Sequence, residues 1–287
     1  MKKSLLINAG LLAVIVVLGL AAWLKPAAKE QQHSLSTLKA AEVKSIEVTI
    51  GAAAPLVLER VANDWRLNAP LQARADGFQV QRLLEILDAK SGTRFPAAGL
   101  ARYGLNEPYA RLRISGQDFS FGAANEMSRE QYVLSGDGIY LLPLRYAAAL
   151  PKDTFNLLSK QLFAADEAPL AFELEGFKVE QVNGTWTLKM SAANAAAGEA
   201  GTDDINRWVD QWRLAGAISV QAATQRKPIG IMKATLKNGS TVVVKILERG
   251  AGTVLAREDQ PFEFVMAAET ANRLLAPPAA AIAPAAK

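Results

Sequence analysis

The chain has one histidine, His33, and no cysteine. Without cysteine, thiol nucleophiles, disulfides and Cys-ligated zinc or iron–sulfur sites are excluded. His33 lies in a short polar segment ahead of the main body of the chain, so that body contains neither a Ser-His-Asp triad nor a histidine base. We therefore predict that His33 is an ordinary solvated residue.

Ser36 and Lys39 match the Ser-x-x-Lys pattern of penicillin-binding enzymes, in which the serine is the nucleophile. The sequence Lys237-Asn238-Gly239 is one residue away from the Lys-Thr-Gly motif of the same enzymes. In those enzymes the serine begins a buried helix, whereas Ser36 lies in a polar segment. Because Asn-Gly is also a common hairpin turn, we interpret both matches as chance.

Acidic residues lie close together at three places in the body, and a glycosidase needs only two carboxyl groups. Each pair also has a structural interpretation, as a solvated helix face, as outward-pointing strand positions or as a helix N-terminus. We favour the structural interpretation for all three. The pairs are Glu85 with Asp88, Glu173 with Glu175, and Asp203 with Asp204.

The sequence thus offers no catalytic set, and we predict no catalytic, cofactor-binding or metal-ligating residue. The formal net charge is only +4, and Lys2 and Lys3 supply two of these charges. The body of the chain has nearly equal numbers of positive and negative charges. It therefore gives no sign of the clustered lysine and arginine residues that bind nucleic acids. We therefore predict no nucleic-acid partner, no cofactor and no enzyme activity.

Residues 4–24 form an apolar run without a charged side chain. At about 1.5 Å per residue, a helix of this length would cross the roughly 30 Å hydrocarbon core of a bilayer. Lys2 and Lys3 predict a cytoplasmic N-terminus by the positive-inside rule. We therefore predict a single-pass protein of the bacterial inner membrane with a periplasmic body. The alternative is a cleaved signal peptide with its processing site at residues 26–28.

Two stretches of the body repeat the same order of features, which indicates an internal duplication. Each begins with a hairpin that turns at an asparagine and continues into a tryptophan. These residues are Asn63 and Trp65 in the first stretch, and Asn183 and Trp186 in the second. Alternating apolar residues around a turn residue predict a β-hairpin at both places.

A helix is predicted after each hairpin, because apolar residues recur at i, i+3, i+4 and i+7. Two further hairpins and a short closing helix complete each stretch. The apolar stripes are Val80, Leu83, Leu84 and Leu87 in the first stretch, and Ile205, Trp208, Val209 and Trp212 in the second.

We therefore predict an α+β fold, in which an N-terminal transmembrane helix precedes two tandem, duplicated units of an antiparallel sheet packed against a helix. The predicted segments are a cytoplasmic tip and anchor (1–24), a juxtamembrane linker (25–40), the first unit (41–151), a connector (152–167), the second unit (168–276) and a disordered Pro/Ala-rich tail (277–287).

Five short segments of the first unit form a recognisable series. They are Trp-Arg-Leu-x-x-Pro at 65–70, Ala-Asp at 75–76, Tyr-Gly-Leu-x-x-Pro at 103–108, Phe-Gly at 121–122 and Tyr-Val at 132–133. With them the unit resembles a bacterial family known only as a domain of unknown function. The second unit lacks Tyr-Gly-Leu-x-x-Pro and resembles the family mainly in layout.

The resemblance implies an N-terminally anchored envelope protein, and some members are encoded beside ABC-type transporters of the gliding-motility kind. It implies no catalytic residue. Together with the duplication, it favours a membrane-anchored periplasmic, non-enzymatic binding or scaffolding module, accessory to an ABC-type transporter or another envelope complex. We expect the partner to bind at the crevice between the units. The alternatives are an envelope enzyme that acts on glycan or peptide through carboxylates, and a structural spacer.

Overall fold

The computed structural model describes residues 32–125, 127–191 and 200–278, together with positions 10, 12, 14–17, 19 and 20. These residues form two large antiparallel sheets and one small sheet of two strands. The predicted tail 277–287 lies outside the described residues apart from its first two positions. Most of the predicted anchor 1–24 lies outside them as well.

The first half of the chain supplies the strands of the small sheet and of a nine-stranded sheet. In chain order they are β1 (His33–Ser34), β2 (Ser45–Ile50), β3 (Leu56–Val61), β4 (Asp64–Ala69), β5 (Ala73–Arg74), β6 (Lys90–Ser91), β7 (Arg94–Pro96), β8 (Ala110–Ile114), β9 (Gln117–Asn125), β10 (Glu130–Ser135) and β11 (Gly138–Pro143).

The second half supplies an eight-stranded sheet. Its strands are β12 (Pro169–Leu174), β13 (Phe177–Val182), β14 (Thr185–Met190), β15 (Ser219–Ala222), β16 (Gly230–Leu236), β17 (Thr241–Arg249), β18 (Gly252–Arg257) and β19 (Phe262–Ala267).

The two large sheets have the same strand order. The first runs β5-β4-β3-β2-β8-β9-β10-β11-β7, and the second runs β14-β13-β12-β16-β17-β18-β19-β15. Only β5 has no counterpart among the described strands of the second sheet. The last strand at one edge of each sheet is short, β7 in the first sheet and β15 in the second. No sequence pattern predicted these two strands.

The two hairpins predicted at Asn63 and Asn183 are confirmed. In the second, Val182 pairs with Thr185, and both turn residues have positive φ, as a type I′ turn requires. In the first, the turn consists of Ala62 and Asn63 and not of Asn63 and Asp64 as the sequence suggests, because Asp64 already pairs with Val61.

Within the described residues from 32 to 278, four α-helices accompany the sheets, and single turns of 3-10 helix occur between the strands. The predicted stripe of the longest helix is confirmed, because Ile205, Trp208, Val209 and Trp212 are all buried. The helices are α1 (Gly77–Leu84), α2 (Arg145–Ala148), α3 (Thr202–Arg213) and α4 (Ala268–Leu275).

The predicted α+β class is wrong, because strands predominate over helices in the described residues and the helices are short. Segments without a clear alternating pattern, such as β7 and β15, pair at sheet edges and add to the β content. The apolar stripe of the first predicted helix is divided between α1 and a 3-10 turn, Glu85–Asp88.

The predicted transmembrane helix over residues 4–24 is also corrected. Among the described residues, no helix has both the length and the apolar character needed to cross a bilayer. Even α3, with 12 residues, is about 18 Å long against a hydrocarbon core of roughly 30 Å. The inner-membrane localisation with a periplasmic body, which depended on that helix, is therefore wrong on this finding.

A single apolar core contains buried residues from both large sheets. In the second sheet it is aromatic: Phe172 lies 5.8 Å from Trp212 and 6.2 Å from Phe163, measured between ring centroids. Phe163 belongs to the predicted connector. The segment between the units is therefore part of the core that it joins.

The outer face of the first sheet carries a second, smaller apolar cluster, formed by the Tyr-Gly-Leu segment. Tyr103 and Leu105 pack there with Ile139. The close approach depends on Gly122, where a Cβ atom would lie 2.3 Å from the carbonyl oxygen of Tyr103 and 2.8 Å from Cγ of Leu105. The Tyr-Gly-Leu segment thus packs directly against the Phe-Gly segment.

Replacement of Gly122 by alanine is therefore expected to lower the free energy of unfolding by about 1–3 kcal/mol, the usual cost of overpacking. Gly92→Ala is the matched control, because a Cβ atom there meets no heavy atom within 4 Å. Urea unfolding of the three proteins tests the prediction, and an equal stability of the two variants would contradict it.

Candidate functional site

The connector is tied by its backbone to both halves of the chain. On one side, Leu158 forms a β-bridge with Ala75, and on the other Gln161 forms one with Gly216. The amide of Asp76, the residue that caps α1, donates to the carbonyl of Leu157 over 2.7 Å. The connector is therefore held between the two sheets along most of its length.

A buried arginine of the second sheet fixes the end of the connector. Arg257, in β18, is only 3% exposed. Its Nη1 and Nη2 atoms each donate to a carboxylate oxygen of Glu167 over 2.7 Å, and its Nε and Nη2 atoms donate to Asp259 over 2.9 and 2.7 Å. Nη1 also donates to the carbonyl oxygen of Leu162 over 2.8 Å.

A second arginine, from the first sheet, holds the same segment from the other side. Arg74, in β5, donates to the carbonyl oxygens of Gln161 over 2.8 Å and of Phe163 over 3.1 Å. We name Arg74, Glu167, Arg257 and Asp259 the connector clamp. One arginine from each sheet thus binds the same short stretch of backbone.

The carboxyl groups of the clamp are held in their charged form. Burial raises the pKa of Glu167, but hydrogen bonds from Arg257 and from the amide of Ala164 outweigh this and leave the pKa below its ordinary value of 4.5. Hydrogen bonds from Arg257 likewise lower the pKa of Asp259. Burial lowers the pKa of Arg74, an effect that Glu167 opposes.

Replacement of Arg257 by leucine would leave the carboxylate of Glu167 without its main partner. We expect a loss of about 3–5 kcal/mol in the free energy of unfolding, as for other broken buried pairs. The matched control is Arg113→Leu, which breaks an exposed two-bond pair with Asp118 and should cost about 0–1 kcal/mol. Similar losses in the two variants, measured by urea unfolding, would contradict a structural role of the clamp.

The clamp also predicts a pH dependence of stability. Because the pKa values of Glu167 and Asp259 are lower in the folded protein, their stabilising effect is present above the ordinary values of 4.5 and 3.8. It is lost as the pH falls through the folded values. Unfolding free energies measured at several acidic pH values should therefore fall less steeply for Glu167→Gln than for the wild type, whereas Glu107→Gln on the surface should follow the wild type.

Two pockets lie on either side of the connector. The first, of about 260 Å³, is lined by three cationic side chains: Arg82 of α1, and Lys152 and Lys160 of the connector. We name it the basic pocket; no carboxylate lines it. The remaining lining residues are Gln79, Ala148, Ala149, Leu150, Pro151, Phe155, Asn156, Leu157, Ser219 and Val220.

The second pocket, of about 240 Å³, is balanced in charge. Its lining includes Arg66 and Arg74, but also Asp64 and Asp166. The two pockets are thus similar in size and differ in electrostatic character.

A third feature is an apolar depression on the second sheet. Ile229 and Ile231 are 60% and 45% exposed. They line two adjoining depressions of about 500 and 360 Å³, which share Leu174, Glu175 and Gly230. We name this surface the isoleucine groove.

The residues singled out in the sequence have ordinary structural environments. His33 is half-buried in β1, and Ser36 donates a 2.6 Å hydrogen bond to the side chain of Gln117. The turn predicted at Asn238 is confirmed, because its side chain accepts a 3.0 Å hydrogen bond from the amide of Ser240.

The three carboxylate pairs are likewise on the surface or in surface ion pairs. Glu85 and Asp88 are exposed, and Asp204 pairs with Arg207 over 3.0 Å. Glu173 and Glu175 are exposed, and Glu173 faces Lys233 across β12 and β16. Both glutamates line the isoleucine groove. Asp203 and Asp204 lie in the first turn of α3, which is the helix N-terminus predicted for them.

Sequence reasoning missed the connector clamp and the basic pocket. One signal was available for the clamp: Arg257 ends a strand whose alternation places it on the inner face, among apolar residues. The basic pocket had no such signal, because Arg82 and Lys160 come together only through the fold.

The fold and these surfaces define a mostly β protein of two sheets with one shared connector. Residues 65–215, more than half of the chain, match the family model described as a domain of unknown function, DUF4340. The chain belongs to this family. The predicted resemblance to a domain of unknown function is confirmed at that level. No curated protein and no solved structure gives a significant match.

Proposed function

We propose that this protein is a non-enzymatic binding or scaffolding module, and that a protein partner binds at the isoleucine groove. The observation that carries the proposal is the exposure of Ile229 and Ile231 side by side on the second sheet. Contiguous exposed apolar surface with a polar rim is typical of protein–protein contacts. Glu173, Glu175 and Lys233 provide such a rim here.

The comparison between the two sheets supports this assignment. In the first sheet, the segment around Tyr103 and Leu105 covers part of the outer face. On the corresponding face of the second sheet, Lys233 of β16 lies opposite Glu173 of β12, and Lys245 of β17 pairs with Glu258 over 3.0 Å. On this face Val254 and Val265 are buried or half-buried, whereas Ile229 and Ile231 are apolar residues that remain exposed beside charged ones.

The electrostatics also favour binding over catalysis. In the described part of the chain, each carboxyl group with a displaced pKa has it lowered, by arginine, lysine or hydrogen-bond donors. A glycosidase-type general acid needs a raised pKa. The groups are Asp137, Glu167, Glu180, Asp259 and Glu263.

The class of partner follows from the family resemblance rather than from the geometry. The Trp-Arg-Leu-x-x-Pro and Tyr-Gly-Leu-x-x-Pro segments resemble proteins encoded beside ABC-type transporters. A transporter subunit or another envelope protein is therefore the partner that we expect to recover.

The test is crosslinking and affinity purification of the tagged full-length chain from its native cells, with partners identified by mass spectrometry. We expect one protein to be recovered with the wild type and to fall about tenfold or more with Ile229→Glu/Ile231→Glu, because the charges oppose apolar contact. The matched control is Val182→Glu/Leu214→Glu, which changes two other exposed apolar residues.

Equal recovery with both double variants would contradict a role for the groove. A carboxylate variant such as Glu173→Gln that abolishes function, but keeps the fold and the recovered partner, would instead favour the glycan- or peptide-directed enzyme.

A further inference from the structure

The three cationic side chains of the basic pocket have no anionic partner among the described residues. Arg82, Lys152 and Lys160 form no ion pair with any residue in those ranges, whereas Arg94 and Arg257 are each paired with a carboxylate. Arg82 uses one guanidinium nitrogen to donate to the carbonyl oxygen of Ala148 over 3.2 Å, which leaves its other N–H groups available.

Two acidic residues close in sequence to the three cations accept hydrogen bonds from backbone amides. Asp76 caps α1 by accepting from the amides of Phe78 and Gln79, over 2.9 and 3.3 Å. Asp153 accepts from the amide of Asn156 over 3.0 Å. Glu85, one turn after Arg82 on the helical segment, is exposed and does not line the pocket.

The walls of the pocket come from elements that the fold holds in place. α1 supplies Arg82, the connector supplies Lys152 and Lys160, and β15 of the second sheet supplies Ser219. Since the connector is tied to both sheets, the segments that carry the half-buried Arg82 and Lys160 and the exposed Lys152 are held around one pocket. Such convergence of like charges is unfavourable by itself and is relieved by a bound anion.

We infer that the basic pocket binds a compact oxyanion that carries two or more negative charges, on phosphate or carboxylate groups. A single carboxylate would leave most of the positive charge unbalanced, whereas a di- or trianion matches it. Lysine ammonium groups and an arginine fork are the common protein ligands of such groups. A volume of about 260 Å³ fits a small anion.

The inference is independent of the proposed partner surface, because the basic pocket and the isoleucine groove share no lining residue. The charge-balanced pocket on the other side of the connector contains carboxylates, which the basic pocket lacks. There, Asp64 and Asp166 accompany Arg66 and Arg74, so that pocket needs no external anion.

The test is isothermal titration of the full-length protein with pyrophosphate, with citrate and with a glutamate-rich peptide, at one fixed ionic strength. We expect pyrophosphate, citrate or both to bind the wild type, and the dissociation constant to rise about tenfold or more in Lys152→Gln/Lys160→Gln. The matched control is Lys44→Gln/Lys237→Gln, which removes the same charge from two exposed lysines elsewhere.

Binding of pyrophosphate alone would identify phosphate as the preferred group, and binding of both anions would identify charge and size as the criteria. Equal weakening by the control variant would overturn the proposal, because it would reveal diffuse attraction to the whole surface. Binding of the peptide alone, or of none of the three ligands, would also overturn it. Circular dichroism of each variant establishes that the fold is retained.

Discussion

The arrangement of the two sheets depends on one buried charge, the guanidinium of Arg257. A buried arginine is tolerated only when its donors are satisfied, and here two carboxylates and a carbonyl oxygen accept from it. Two of these three acceptors belong to the connector. Because the buried charge needs these acceptors, it fixes the position of the connector. Connector residues in turn line both flanking pockets.

Local features of the fold could be read from the sequence because they depend on near neighbours. The hairpin at Asn183 and Gly184 follows from turn chemistry, and the buried face of α3 follows from the spacing of Ile205 and Trp212. The edge strands β7 and β15 could not be predicted from the sequence. They are too short to show an alternating pattern, and they are strands because they pair with β11 and β19. The transmembrane helix was predicted from the length and apolarity of residues 4–24 alone, and no described helix meets that requirement.

The surfaces proposed to bind ligands could not be predicted from the sequence for a different reason. Arg82 lies in α1 and Lys152 and Lys160 lie in the connector, about 70 residues further along the chain, and only the fold brings them to one pocket. The duplication could have revealed the clamp, since Ser135 pairs with Phe119 in the first sheet and Arg257 pairs with Val244 at the matching place in the second. A serine in one copy and an arginine in the other mark where the copies diverged in role.

The connector has a consequence for what counts as a domain in this chain. The copies have the same strand order, yet the family match begins inside the first and ends inside the second, at Ala215. Phe163 lies in the aromatic core of the second sheet, while Arg74 reaches across from the first. A protein divided at the connector would open the shared core and break the contacts of Arg74 or Arg257 with the connector, so we do not expect the ancestral repeat to fold on its own, and the whole chain should melt in one cooperative step.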